Sequence, residues 1–459
     1  MKKSLKLRNM PIGKLLFSMS VPAMFSMLIQ ALYNIIDSIY VSKLGPTAFN
    51  AVNLAFPMQV IVMAFALGIG IGTNSLISRK LGEGKHEEAS QVAKHGIYLS
   101  IIVGIAFVII GLLLSKPFIS IMTYDKEAIS LGSSYLYIVL GFSIISIIEI
   151  TLTKILQGVG NMIVPMFAQL LGAITNIILD PIFIFDLGLG VKGAAIATII
   201  GQTFALLLVL SIFVFKKQEI SISIKNFKFN KHILYGIFNV GLPVTIMNSI
   251  ASFTTTILNA LLTGSYTDPE LGKAAVNVLG VYFKLQSFVF MPVFGLTQGA
   301  MPILGYNYGA NLKARFYKTI KLMFITGFSI ILIGFAVFQL IPEKLLGLFH
   351  PDKNMISIGN NALRIISLCF IPASFGIIMS NIFQSIGHGI KSLLMSLLRQ
   401  IILLIPFAII LSSISPDIIW FSYGLAETIT AIIFIPICLI TVKKVFVLKN
   451  QNLNILTEE

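Results

Sequence analysis

Charged residues are scarce in this chain. Only 11% of its 459 residues are Asp, Glu, Lys or Arg, against 56% hydrophobic, and the mean hydropathy is +0.92. So little charge excludes a soluble domain of this length and points to a polytopic helical membrane protein. Cysteine is almost absent: Cys369 and Cys438 are the two present, and they lie in separate apolar runs. That excludes a disulfide framework and a thiolate metal site. The five histidines (His86, His95, His232, His350, His388) sit in or beside loops without ligand spacing. There is no Gly-Lys-Ser phosphate loop, no His-Glu-x-x-His and no nucleophile elbow. ATP-driven and hydrolytic chemistry therefore lack a carrier, and neither an enzyme, a cofactor nor a metal centre is expected.

What is present is long apolar runs. Twelve of spanning length can be marked, at about 15–40, 50–77, 92–115, 130–155, 162–185, 192–215, 233–262, 274–304, 317–341, 357–382, 392–413 and 417–441. Each is long enough to cross a hydrocarbon core of about 30 Å as a helix, and no connection between them could hold a soluble domain. The basic start before the first run resembles a signal peptide, but the run is too long and no small-residue cleavage site follows; a retained first helix is expected. The formal charge of +15 would suggest nucleic acid in a soluble protein. Here the basic residues cluster in alternate connections: Arg79/Lys80/Lys85, Lys216/Lys217/Lys225/Lys228/Lys231, Lys313/Arg315/Lys318/Lys321 and Lys443/Lys444. That asymmetry is the positive-inside rule. It predicts both termini in the cytoplasm, a multi-pass protein of the cell membrane, lipid as its surroundings and no nucleic-acid partner. Trp420, the only tryptophan, then falls at the outer interface.

The chain repeats. Ser20-Val-Pro22-Ala-Met in run 1 answers to Gly241-Leu-Pro243-Val-Thr in run 7. Ser78-Arg-Lys-Leu-Gly82 answers to Gly305-Tyr-Asn-Tyr-Gly309, and Gln157-Gly-Val-Gly160 to Gln384-Ser-Ile-Gly387. Three matches in order at nearly constant spacing mark a duplication. Six runs per repeat give both halves the same orientation, as in transporters with parallel repeats. The expected division is an N-terminal lobe over 1–220, a cytoplasmic linker over 221–232 and a C-terminal lobe over 233–459.

Polar residues inside the runs are the candidate sites, because an ionisable group in a spanning helix costs at least about 2.5 kcal/mol. In run 1, Ser26, Gln30, Tyr33 and Asp37 fall within about 60° of one helix face, with Asn34 beside it. Gln169, Asn176 and Asp180 share a narrower arc of run 5. Asp37 and Asp180 lie roughly 6–8 Å below the outer ends of their helices, and Thr198 roughly 9 Å below the start of run 6. Polar groups of three helices are therefore expected to meet at one depth in the N-terminal lobe. Lys284, Arg364 and Glu427 are the embedded charges of the second lobe. Mutual neutralisation or snorkelling is the plain account, with a substrate or gating role open for Lys284. Glu149 and Lys154 read as a structural pair. Gly68-Ile-Gly70-Ile-Gly72 follows no strand, so it reads as a close helix approach rather than a nucleotide loop.

Taken together, Asn34-x-x-Asp37 with Leu44-Gly45, Ser78-Arg-x-Leu-Gly82, Asn176-x-x-x-Asp180-Pro181 and the twelve-helix repeat resemble the multidrug and toxic compound extrusion (MATE) transporters, in their prokaryotic DinF-like branch. The resemblance covers roughly residues 14–445. It implies an all-α, V-shaped, two-lobed secondary antiporter that exports amphipathic, cationic or aromatic small molecules. It also implies that Pro22 bends the first helix and that Asp37, Asn176, Asp180 and Thr198 form the proton or cation site. Asn34, Gln30 and Lys284 are then candidate substrate or gating residues. One departure matters: NorM-type relatives place carboxylates in helices 7 and 10, where this chain has Asn248, Asn259 and Arg364. A desolvated carboxyl without a cation partner favours its neutral form, so the proton is the expected coupling ion and sodium the alternative. A monomer is expected. The rival function is the flipping of a lipid-linked precursor, which would want a strongly cationic cavity.

Overall fold

The computed structural model describes residues 3–216, 219–223, 225, 227–349 and 351–458. Lys217 and His350 lie outside the described residues. The chain is almost wholly helical. A short helix, Lys3–Asn9, leads into α1 (Ile12–Ser42), α2 (Pro46–Gly82) and α3 (His86–Met122). Span α4 is bent by 46° at Phe142, between Lys126–Gly141 and Ser143–Gly158. Then come α5 (Ile163–Pro181, prolonged by the wider turn Ile182–Asp186) and α6 (Val191–Phe215). The second half holds α7 (Lys231–Ser265), α8 (Pro269–Gly309) and α9 (Lys313–Leu340). Span α10 is bent by 47° between Lys353–Ser367 and Phe370–Ser385. Span α11 runs from Gly389–Leu397 through the wide turns of Leu398–Leu404 to Ile405–Ile414, and α12 is Phe421–Glu458. Ten helices are each long and apolar enough to cross a membrane, and each bent pair adds one more span.

The duplication is visible in the backbone. The fourth span of each half carries the bend. The Gly160 and Gly387 turns share φ of +86°, and each is closed by the same pair of bonds: Gly160 N–H to Gln157 O with Asn161 N–H to Leu156 O, and Gly387 N–H to Gln384 O with His388 N–H to Phe383 O. A side chain is strained at that φ, which is why glycine recurs there. The α2–α3 and α8–α9 connections match as well, with left-handed Gly84 answered by left-handed Asn311. Asparagine tolerates that conformation better than most side chains.

Packing gives the two-lobed shape. One buried cluster (Leu15, Leu81, Leu156, Leu304, Phe383, Phe446 among its members) draws on both halves at the end where the termini lie. Farther from the termini the core divides into one cluster from the first half, around Phe107, Tyr135 and Leu140, and one from the second, around Tyr282, Phe338 and Phe370. The lobes meet through α1 on α8 and α2 on α7. Glycine makes these crossings tight, as the sequence predicted for Gly68-Ile-Gly70-Ile-Gly72: a Cβ on Gly241 of α7 would stand 2.6 Å from Gly68 O. A Cβ on Gly299 of α8 would stand 2.6 Å from Ser20 Cα. Hydrogen bonds cross the same seam: Thr245 Oγ1 to Ala64 O at 3.2 Å and Ser75 Oγ to Gln384 O at 2.6 Å. The seam is sealed near the termini. At the far end Asn34, Ser38, Asn50, Asn277 and Lys284 are exposed, and the lobes splay around a cleft.

Several expectations are corrected. Trp420 does not face an interface; it is 3% exposed, packed within the second lobe. His95 is not a loop residue but a buried one of α3 that accepts Asn230 N–H at 2.9 Å. Glu149 and Lys154 form no ion pair: Glu149 accepts from Thr153, while Lys154 Nζ donates to Gln157 Oε1 at 3.2 Å and Gln157 donates to Gln298 of α8. Arg364 is exposed and does not neutralise Glu427. That carboxylate is held by Arg399 Nη1 at 3.0 Å, a partner the sequence reading passed over.

Candidate functional site

Five spans of the first lobe bring polar side chains to one level. Asp37 lies near the far end of α1 and Asp180 just before the wide turn that ends α5. Thr198 lies in the second turn of α6. Each sits about five to seven residues, roughly 8–11 Å, from its helix end. Helices α5 and α6 can approach closely because glycines face each other: a Cβ on Gly201 would stand 2.6 Å from Gly172 O. That approach lets Asn176 reach both sides. Its Nδ2 donates to Asp180 Oδ1 at 3.1 Å and to Thr198 Oγ1 at 3.3 Å. The Asp37 carboxyl meets that of Asp180 across the α1–α5 contact, and Tyr33, one turn earlier on α1, reaches Thr198.

Two further residues belong here that the sequence reading missed. Tyr135 of α4 is buried beside Gln59 of α2, and both face the group. Gln59 carried a signal, being the one amide in the apolar stretch after Pro57. Tyr135, with Tyr137 in the same span, carried none.

Asp180 is fully buried and Asn176 nearly so. Among the described residues, Asp180 Oδ2, Asn176 Oδ1 and Gln59 Nε2 are buried without a hydrogen-bond partner. An ionised carboxylate only accepts, so two carboxyl groups in contact call for a hydrogen on one of them or a cation between them. The oxygens on offer suit either: carboxylate, amide and hydroxyl groups are hard ligands for a small cation and acceptors for a proton.

The remaining candidates are placed apart. Asn34 is exposed on the cleft side of α1 and Gln30 is half-buried; among the described residues neither side chain bonds to the carboxyl pair. Pro22 sits inside a continuous α1, and its carbonyl accepts Ser26 Oγ at 3.0 Å. Lys284 is in the other lobe, on the wall of a separate cavity of about 570 Å³.

Twelve spans in two repeats, a cleft between lobes sealed at one end, and buried carboxyls beside it define a membrane transporter and not an enzyme. The particular family follows from comparison. The sequence profile described as MatE matches residues 22–182 and again 243–410, beginning at Pro22 and Pro243, the two prolines that the internal repeat aligns. The chain belongs to the MatE family. It is 28% identical over 426 residues to the multidrug export protein MepA of Staphylococcus aureus (strain MSSA476), covering 92% of each chain. A solved structure of an outward-facing multidrug resistance MATE family transporter of the MOP superfamily superposes with a TM-score of 0.92 at 28% identity, covering 97% of this chain and 99% of that one. A MATE solved in a bent conformation gives 0.91 at the same identity, covering 97% of this chain and 98% of the other.

Proposed function

We propose that this protein is a secondary antiporter that exports amphipathic, cationic or aromatic small molecules in exchange for protons. The observation that carries the reading is the Asp37–Asp180 contact, with one buried Asp180 oxygen lacking any protein donor. A single proton between the carboxyls satisfies both, and its loss leaves two acceptors facing each other. The site therefore has two arrangements that differ by one proton. Asn176 and Thr198 tie it to α5 and α6, and Tyr33 ties it to α1. Loading it from outside would repack α1 against α5 and α6, with Pro22 as the point where α1 lacks a backbone donor and bends at lowest cost. Rocking of the lobes 1–220 and 233–459 about the linker 221–232 then exposes the cleft alternately. The seal at the termini end and the splay at the other fit a protein with both termini in the cytoplasm of a bacterial cell, open outward. The cleft lies within one chain, so a monomer suffices. The driving force is adequate: a membrane potential of 100 mV supplies about 2.3 kcal/mol per charge, and one pH unit about 1.4 kcal/mol more.

Sodium coupling is the second reading, favoured by the partnerless Asn176 Oδ1 and Asp180 Oδ2. Efflux in reconstituted vesicles, with proton and sodium gradients imposed separately, decides between them. Export should stop when the pH gradient is dissipated and persist when sodium is removed at constant pH. Export that follows an imposed sodium gradient without a proton gradient would reverse the assignment.

A further inference from the structure

The polar faces of α7 and α8 continue past the sealed seam into the open part of the cleft. On α7, Asn259 lies on the same line as Gly241, which touches α2, and Thr255 is within about 40° of it. On α8, Asn277 and Lys284 lie within about 20° of Gly295, whose Cβ, if it had one, would stand 2.6 Å from Met24 N of α1. These side chains therefore point where the opposite lobe would be if the cleft closed. They line the cavity of about 570 Å³ together with Phe349 and Asp352. That is the size of a site for a drug-sized molecule.

Its polarity is specific. Lys284 is its ammonium, exposed and poised 5.7 Å from the centroid of Phe349. Among the described residues no carboxylate pairs with it. Asp352 is the carboxylate on the wall, and it is committed to α10, where Oδ1 accepts Met355 N–H at 2.7 Å as the N-cap. The amides of Asn259 and Asn277 face the same space. A cation with amide donors beside it and an aromatic wall recognises an oxyanion borne on a ring.

Resting on the transporter reading above, we infer that this cavity is a substrate subsite for the acidic head of an aromatic amphiphile. Lys284 Nζ and the Asn259 and Asn277 amides hold the carboxylate, and Phe349 packs against the ring. The substrate class narrows to aromatic acids, zwitterions included. A phospholipid headgroup presents a similar oxyanion, so the test separates the two.

The probe is a matched pair: a fluorescent aromatic carboxylic acid and its methyl ester. Transport is measured in proteoliposomes and binding to the purified full-length protein in detergent. Lys284→Gln should raise the half-saturating concentration of the acid about ten- to hundredfold and leave that of the ester within about twofold. Lys284→Arg should retain most of the acid affinity, and Lys273→Gln, outside the cavity, should change neither. Equal loss for acid and ester, or no loss for either, overturns the subsite. So does an effect on the acid that vanishes in pure phosphatidylcholine and returns with phosphatidylglycerol, which makes lipid the ligand. A wild type that binds the acid through Lys284 yet concentrates neither compound would refute the antiporter reading and leave the subsite standing.

Discussion

Gly241 sets the distance between the lobes, and replacing it with alanine perturbs that distance alone. The added Cβ would stand 2.6 Å from Gly68 O, against an ordinary carbon–oxygen separation of about 3.3 Å, so α2 and α7 must part there by about 0.7 Å. The contact from Thr245 Oγ1 to Ala64 O, now 3.2 Å, stretches past hydrogen-bonding range, but the hydroxyl keeps Gly241 O of its own helix, at 3.1 Å, as an acceptor. The cost is therefore that of overpacking, about 1–3 kcal/mol. The sealed conformation is thus weakened by about 1–3 kcal/mol relative to one in which this crossing has opened. At 1.4 kcal/mol per tenfold, the balance moves by roughly 5- to 100-fold. The assay is thiol accessibility at Ser78, fully buried against Gly305 in the seam. The two native cysteines, both buried, are first replaced by alanine and Ser78 by cysteine. Gly241→Ala should speed labelling at position 78 by at least about fivefold and lower export. Labelling at the parent rate in a folded, transport-competent variant would refute the idea that this crossing holds the seam shut.

Other outcomes follow from the same contacts. Asp37→Asn should abolish active export while expression stays near normal; a variant that still concentrates substrate at the parent rate would remove Asp37 from the coupling group. Thr198→Ala removes one of the two acceptors of Asn176 Nδ2 and should slow gradient-driven efflux severalfold without unfolding the protein, checked by efflux rate and melting temperature together. Glu427→Ala strands the Arg399 guanidinium, itself only 28% exposed, and should cost about 2–3 kcal/mol of stability. Glu427→Gln keeps an acceptor and should cost less, so equal melting temperatures for the two would show that the ion pair does not hold α11 to α12. A cysteine at Glu87 should resist impermeant reagents outside intact cells and one at Thr267 should be labelled; the reverse would invert the topology.

The spans, their duplication and the meeting of polar side chains in the first lobe were legible because each rests on local chemistry. Apolar length gives the helices, left-handed glycine turns give the repeated motifs, and helical periodicity puts Asp37 and Asn176/Asp180 on inward faces. Pairings between distant spans were not legible. Glu427 could meet Arg364 or Arg399 as far as sequence spacing goes, and only the packing of α11 against α12 selects Arg399. Lys154 turned from Glu149 to Gln157 for the same kind of reason: its partner lies one turn on, at the seam with α8. Trp420 shows the limit of an interfacial preference, since a large ring can be more completely buried in the lobe than at a membrane surface.

The segment joining the lobes is bonded to α3 at four of its described residues. Ser221 N–H donates to Ser90 Oγ at 3.1 Å, Lys94 Nζ to Lys225 O at 3.0 Å, Lys228 N–H to Gln91 Oε1 at 3.2 Å and Asn230 N–H to His95 Nε2 at 2.9 Å. Asn230 also caps α7 through His232 N–H at 2.8 Å. What looks on paper like a slack tether is a strap fastened to the first lobe up to its last residue. The free length between the lobes is then close to a single peptide unit at the start of α7. In the rocking proposed above the lobes would turn about a pin rather than swing on a rope, and the travel of the far rim would be set by the length of α7 as a lever, not by the number of residues in the connection.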